Sequence, residues 1–192
     1  MTVKAQLRQE LRAAERALSA AERADADRKI MALLLAMPEY RAARSVFCFV
    51  SMPREIQTAP LLRDALAQGK TLCVPRCLPE RQMSLSVIRS LDELRPGYCG
   101  IPEPPEDAPA LSPEALDLAV IPCAGCSLTG DRLGRGGGYY DRFFARYNGV
   151  SVLLCRSALT RADIPMEAHD RRVPLVVTEH GVYENGVLRP YH

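Results

Sequence analysis

LDLAVIPCAGCSLTGDRLGRGGGYYD, residues Leu116–Asp141, is the stretch that decides the fold. Leu116 to Ile121, apolar apart from Asp117 and closed by Pro122, reads as a buried central strand. A long glycine-rich loop follows. From about Tyr139 to Tyr147 the spacing becomes helical. In an open α/β sheet, ligands bind in the loops beyond the carboxyl ends of the strands, and this loop is in that position.

The same alternation continues on both sides. Residues 3–17 read as a helix, with Leu7, Leu11, Ala14 and Leu18 on one face and Lys4, Arg8 and Arg12 four apart on another. Ser19-Ala-Ala-Glu22 is a capping box for a second helix that stops near Pro38, with Ile30, Leu33 and Leu34 facing the core. Ser45 to Val50 is a buried strand. Thr58 is placed to cap a third helix, with Pro60 in its first turn and Gly69 just past its end. Strands are expected at Thr71–Val74, Ser84–Ile88, Val150–Cys155 and Leu175–Val177. A Pro/Gly-rich loop covers Pro96 to Pro109, and Ser112-Pro113-Glu114 opens a short helix. Asn185-Gly186 between GVY and VLR signals a hairpin. Strands alternating with helices define an α/β fold with a largely parallel sheet. At 192 residues, the chain is expected to form a single domain, 1–192.

A net charge of +2 gives no case for a general nucleic-acid binder. The longest apolar runs, Ile30 to Met37 and Leu118 to Pro122, are too short to span a bilayer. Seven cysteines, an odd number, behind a charged, helix-like N-terminus argue against a disulfide framework. The expectation is a reduced, cytoplasmic protein without a membrane partner, a monomer or small homo-oligomer. A CxxC pair can be redox-active or half a zinc site, but Cys123-x-x-Cys126 has no second such pair, and Cys48, Cys73, Cys77, Cys99 and Cys155 show no ligand spacing. Small apolar packing is therefore the reading for these cysteines.

The chemistry concentrates in Gly130–Asp141. Gly134, Gly136, Gly137 and Gly138 free the backbone for positive φ and close approach to a ligand. Successive amide N–H groups then form an anion-binding nest, and a helix beginning near Tyr139 adds its N-terminus. Arg132 and Arg135 supply planar donors suited to phosphate oxygens. Asp141 is so close to such phosphates that a cation is needed between them, and Mg²⁺ is the expected ion. The loop is neither a Walker A loop nor a dinucleotide fingerprint set directly after a strand.

RLGRGGGYYDRF resembles the signature of the 5-formyltetrahydrofolate cyclo-ligase family. Four further segments agree with that family in order: Lys4-x-x-Leu7-Arg8, Ser51-Met52-Pro53-Arg54-Glu55-Ile56-Gln57-Thr58, Gly100-Ile101-Pro102-Glu103-Pro104, and His169-Asp170 followed by Val176-Val177-Thr178-Glu179. There are departures. Ser127 stands where the family usually has Asp, Gly137 where one common form has Lys, and Pro174 where many members are acidic.

The resemblance implies a three-layer α/β sandwich with a mostly parallel central sheet. It implies an enzyme that converts 5-formyltetrahydrofolate and ATP to 5,10-methenyltetrahydrofolate, ADP and phosphate, with Mg²⁺. By position, it gives ATP contacts to Lys4, Arg8 and the loop residues Arg132, Leu133, Gly134, Arg135, Gly136, Gly137, Gly138, Tyr139 and Tyr140. Folate contacts fall to Val50, Glu55 and Arg135 to Tyr139. Arg135 and Tyr139 take the catalytic positions, and Asp141 and Asp170 those of magnesium. A paralogue with another substrate, or a non-catalytic ATP-binding protein, is the alternative.

Overall fold

The computed structural model of the protein describes residues 2–168 and 170–190, so His169 lies outside the described residues. Helix α1 (Val3–Ala17) starts where the Thr2 hydroxyl accepts from Ala5 N. Helix α2 (Ala20–Ala36) opens on the expected capping box, Ser19 N donating to Glu22 Oε2 at 2.8 Å and Glu22 N to Ser19 Oγ at 3.2 Å. Pro38 stops it and begins the short helix α3 (Pro38–Ala42). Strand β1 (Ser45–Cys48), helix α4 (Ala59–Ala67), and strands β2 (Thr71–Leu78) and β3 (Gln82–Ile88) come next. The two-residue strands β4 (Arg95–Pro96), β5 (Pro102–Glu103) and β6 (Ala110–Leu111) lead to β7 (Leu118–Ile121). Two more short strands, β8 (Gly125–Cys126) and β9 (Arg132–Leu133), precede helix α5 (Tyr139–Phe144). After it come β10 (Val150–Leu154), β11 (Leu175–Thr178), β12 (Gly181–Glu184) and β13 (Val187–Leu188). The fold class is mixed α/β with parallel pairing among its central strands, as expected, and antiparallel strands added outside them.

The described residues form two compact units. One comprises Leu35–Val120 and Gly138–Val150. In it β1 pairs in parallel with β2 and β7, and β3 and β6 extend the sheet antiparallel beyond β2. All four residues of β1 are buried, as the apolar run SVFC requires. Asp117 sets the start of this ladder: its Oδ2 accepts from Arg44 N at 2.8 Å and Ser45 N at 2.9 Å. These bonds hold the Asp117 carboxyl below the usual range. Helix α4 buries Leu61, Leu62 and Ala65. Phe143 of α5 stacks on Phe47 and on Tyr147, at centroid distances of 5.3 and 4.9 Å. Two expectations are corrected. Thr58 does not cap α4 with its side chain: its backbone is helical (φ −90°, ψ −7°) where a capping residue is extended, and its hydroxyl is turned to Phe49 O, to which it donates at 2.8 Å. Helix α5 ends at Phe144 rather than near Tyr147, so its dipole is that of a six-residue helix.

The other unit takes the described residues of Met1–Leu34, Ile121–Gly137 and Ser151–His192. Here β10 pairs in parallel with β11, and β12 and β13 follow antiparallel. The Asn185-Gly186 turn has positive φ at both residues, 49° and 85°, as the hairpin signal demands. Arg156, just past β10, is 2% exposed, and its Nε and Nη2 reach the two oxygens of Asp27 on α2 at 2.7 and 3.0 Å. A planar guanidinium meeting a carboxylate in this bidentate way is the strong form of the pair.

Removing one member of that pair leaves the other charge buried. Asp27→Ala is expected to cost about 3–5 kcal/mol of folding free energy in urea unfolding. The double substitution Asp27→Leu/Arg156→Met should recover most of that loss. A single-mutant cost below about 1 kcal/mol would mean that the pair is not holding α2 in place.

Candidate functional site

The glycine-rich loop is framed before it begins. Strands β8 and β9 pair Gly125 with Leu133 and Cys126 with Arg132. Ala124 N donates to Leu133 O at 2.7 Å and Ser127 N to Asp131 O at 2.9 Å, so residues 124–133 close into a hairpin. At its tip, Ser127 Oγ accepts from Asp131 N at 3.0 Å and donates to Asp131 Oδ2 at 3.1 Å. Arg172 Nε donates to Asp131 Oδ1 at 2.7 Å. Gly130 has φ 95°, and a Cβ there would fall 2.0 Å from Val173 O, so only glycine fits. Ser127, where the family pattern has Asp, thus serves the turn through a hydroxyl that both donates and accepts.

Beyond β9 the chain comes to the surface. Leu133 is buried, whereas Arg135, Gly136 and Gly137 are exposed. Gly136 and Gly138 have φ of 98° and 73°, the conformations for which this sequence keeps glycine. Helix α1 holds the loop: Arg8 Nε donates to Gly134 O at 2.7 Å. The guanidinium carbon of Arg8 also lies 3.8 Å from where a Cβ of Gly136 would be. Arg8, Arg12 and Arg135 line one small pocket together with Leu11, Glu15 and Ala124. Three guanidinium groups around one concavity suit an anion such as a polyphosphate. Sequence reasoning did not assign Arg12, although its four-residue step from Arg8 was a visible signal.

Lys4 is also on α1, but its ammonium is already paired. It lies 2.5 Å from Asp170 Oδ2 and 2.8 Å from Glu167 Oε1. Partial burial works against its charge, and the bonds from Asp170 and Glu167 outweigh that and raise its pKa. Asp170 Oδ2 accepts from Glu167 N as well, at 2.7 Å. The structure thus joins to each other two residues that the resemblance gives to different ligands.

The remaining expected residues belong to the other unit. Val50 is half-buried, just past β1. Glu55 is half-buried in the turn after it, where its Oε2 accepts from Met52 N at 2.8 Å. Tyr139, Tyr140 and Asp141 form the half-buried first turn of α5. Tyr140 packs against Phe47 and Phe143 in the aromatic core. The Tyr139 phenol is pushed up by burial and by the neighbouring Cys77 and Tyr98.

The cysteines hold what the sequence concealed. The thiols of Cys123, Cys126 and Cys155 lie within 4.8 Å of one another, Cys123 half-buried and the other two buried. Cys126 and Cys155 direct hydrogen bonds at Cys123, and Arg132 and Arg135 add their field, so Cys123 falls well below the ordinary thiol pKa. Cys126 and Cys155 are pushed well above it.

A glycine-rich, arginine-bearing loop within a mixed α/β fold defines the class of protein. Comparison with known proteins then gives the family. Residues 1–179 match the model of the 5-formyltetrahydrofolate cyclo-ligase family, and the chain belongs to that family. A 5-formyltetrahydrofolate cyclo-ligase of Mus musculus is 31% identical over 191 aligned residues, spanning 90% of this chain and 92% of its own. One from Escherichia coli K12 is 27% identical, spanning 91% and 99%. The solved structure of the 5,10-methenyltetrahydrofolate synthetase of Aquifex aeolicus matches with a TM-score of 0.86 at 29% identity, covering 100% of this chain and 97% of that one. Among the described residues, no helix is long and apolar enough to cross a membrane.

Arg8→Ala removes the bond to Gly134 O. Amides of residues 134–137 should then exchange with solvent at least tenfold faster, while amides of β10 and β11 keep their protection. Unchanged exchange in the loop would show that α1 does not restrain it.

Proposed function

We propose that this chain carries out the ATP- and Mg²⁺-dependent cyclisation of 5-formyltetrahydrofolate to 5,10-methenyltetrahydrofolate, with release of ADP and phosphate. One observation carries the reading: the family's glycine-rich loop is present, pinned by Arg8, beside a pocket lined by Arg8, Arg12 and Arg135. Family membership supplies the substrate class.

The chemistry sets what the protein must do. The formyl group on N5 is amide-like, so its carbon is a poor electrophile and its oxygen a poor leaving group. Attack of that oxygen on the γ-phosphorus of ATP releases ADP and turns the oxygen into part of a phosphate ester. N10 then attacks the activated carbon and loses its proton, and phosphate departs with the former formyl oxygen. Little covalent work falls to the enzyme. It must place the two substrates and stabilise charge on the transferring phosphoryl.

Each role has a residue suited to it. Arg135 is exposed on the loop and fitted to the transferring phosphoryl; the amides of Gly134, Gly136, Gly137 and Gly138 are suited to the phosphate chain. Arg8, Arg12 and Lys4 supply positive charge from α1. Tyr139 and Glu55 can bond a folate through phenol and carboxylate, and Val50 is an apolar neighbour for the pterin. Magnesium, when bound, neutralises phosphate charge. Asp141, a half-buried carboxylate in the turn directly after the glycines, fits this hard cation. Asp170 fits it less well while Lys4 is on its Oδ2. The proposal extends to a cytoplasmic enzyme in which residues 1–192 act as one functional domain on small-molecule substrates.

Pure, folded protein should produce the methenyl absorbance from 5-formyltetrahydrofolate only when ATP and Mg²⁺ are both present. No absorbance at saturating ATP would refute the assignment and favour a non-catalytic ATP binder.

Arg135→Ala should lower turnover by about 10²–10³-fold, as for other preorganised charge donors, with little change in the urea midpoint. Turnover within a factor of two of the parent would reduce the loop to a turn.

Asp141→Asn should raise the Mg²⁺ concentration needed for half-maximal rate, and Asp170→Asn should do so less. An Asp170→Asn enzyme with unaltered Mg²⁺ dependence would leave that residue as the counterion of Lys4 alone.

A further inference from the structure

The cysteine cluster is not used by the proposed reaction, and its geometry suggests a separate role. Cys123 comes from the segment between β7 and β8, Cys126 from β8 itself, and Cys155 from the residue after β10. Their three sulfurs lie within 4.8 Å of one another. Thiolates around a zinc-sized ion, each about 2.3 Å from it, are roughly 3.8 Å apart, so closing on such an ion needs a contraction of about 1 Å or less. Three small apolar residues would bury as well, but packing alone gives no reason for three sulfur atoms to converge.

We propose that Cys123, Cys126 and Cys155 form a three-thiolate binding site for a soft, thiophilic metal ion of the zinc or cadmium class. The ligand set suits that class, since soft sulfur donors select zinc-like ions over magnesium or calcium. Among the described residues, no carboxylate belongs to the cluster. Cys123 is half-buried, so an ion has a way in and a fourth position for water. Cys126 and Cys155 are 0% and 2% exposed, which keeps the finished site largely dry.

The surroundings suit the charge. Three thiolates and a divalent ion carry a net charge of −1, and the fields of Arg132 and Arg135 both act on Cys123. The thiols have only weak partners to give up. Cys123 Sγ lies 3.3 Å from Leu154 O and Cys155 Sγ 3.4 Å from Arg156 O. Metal binding displaces the protons held on Cys126 and Cys155. The ion would join β8 to the end of β10. Since Cys126 pairs with Arg132, it would sit at the base of the glycine-rich loop. The site stands on sulfur geometry alone and does not depend on the folate reaction.

The test is titration of the reduced, metal-free full chain with Cd²⁺, followed by ultraviolet sulfur-to-cadmium charge-transfer absorbance. The band should saturate at one ion per chain, and one equivalent of Zn²⁺ should raise the thermal midpoint. In the presence of Cd²⁺, Cys123 should resist alkylation, as mapped by mass spectrometry, while the half-buried Cys77 remains reactive. Cys155→Ser and Cys123→Ser should each lose the stoichiometric band and the thermal shift, and Cys77→Ser should keep both. Cys123→Ser, at a half-buried position, decides the matter if Cys155→Ser does not fold. Absence of a saturable band, or a band unchanged in Cys123→Ser, would overturn the site. A band with unprotected Cys123 would do the same.

Discussion

A loop with four glycines in five positions cannot hold a shape on its own, and the rest of the site depends on how this one is held. Ordering each glycine costs more backbone entropy than any other residue would. The compensation comes from both sides of the loop's first half. Leu133 is buried in a short strand pair, and Gly130 is locked against the Val173 carbonyl. Arg8 then reaches from α1 to the Gly134 carbonyl. One guanidinium thus has two functions, restraining the backbone and lining the pocket with positive charge. The same α1 step of four residues brings Arg12 to that pocket. The helix is therefore part of the binding apparatus as much as of the core, which it enters chiefly through Leu11.

Local chemistry made much of this legible. The bounds of α1, the capping box at Ser19 and Glu22, the buried run SVFC and the Asn185-Gly186 turn are all set by residues within a few positions of one another. Boundaries failed where tertiary partners decide. Strand β2 runs on through Pro75 to Leu78, because β3 continues to pair with it after its pairing with β1 has ended at Cys73. Thr58 has the right identity for a cap, but its helical backbone turns the hydroxyl to the Phe49 carbonyl.

The site shows the same division. Spacing and glycine content marked the loop, and the ordered family segments named its chemistry. Pairings across the chain were invisible. Lys4 and Asp170 are 166 residues apart, and only the fold brings the ammonium to that carboxylate. Cys155 has no sequence relation to Cys123-x-x-Cys126, yet it completes a cluster of three sulfurs. A spacing rule finds ligands on one turn, and it cannot find the one delivered by a strand from elsewhere.

The central claim is that the formyl oxygen becomes a phosphate oxygen. It is tested most directly by supplying 5-formyltetrahydrofolate with a heavy-oxygen label in the formyl group, together with ATP and Mg²⁺, and weighing the released phosphate. One labelled oxygen per phosphate, matched to the methenyl product formed, is the expected result. Unlabelled phosphate, with the label appearing in water, would contradict phosphoryl transfer to that oxygen.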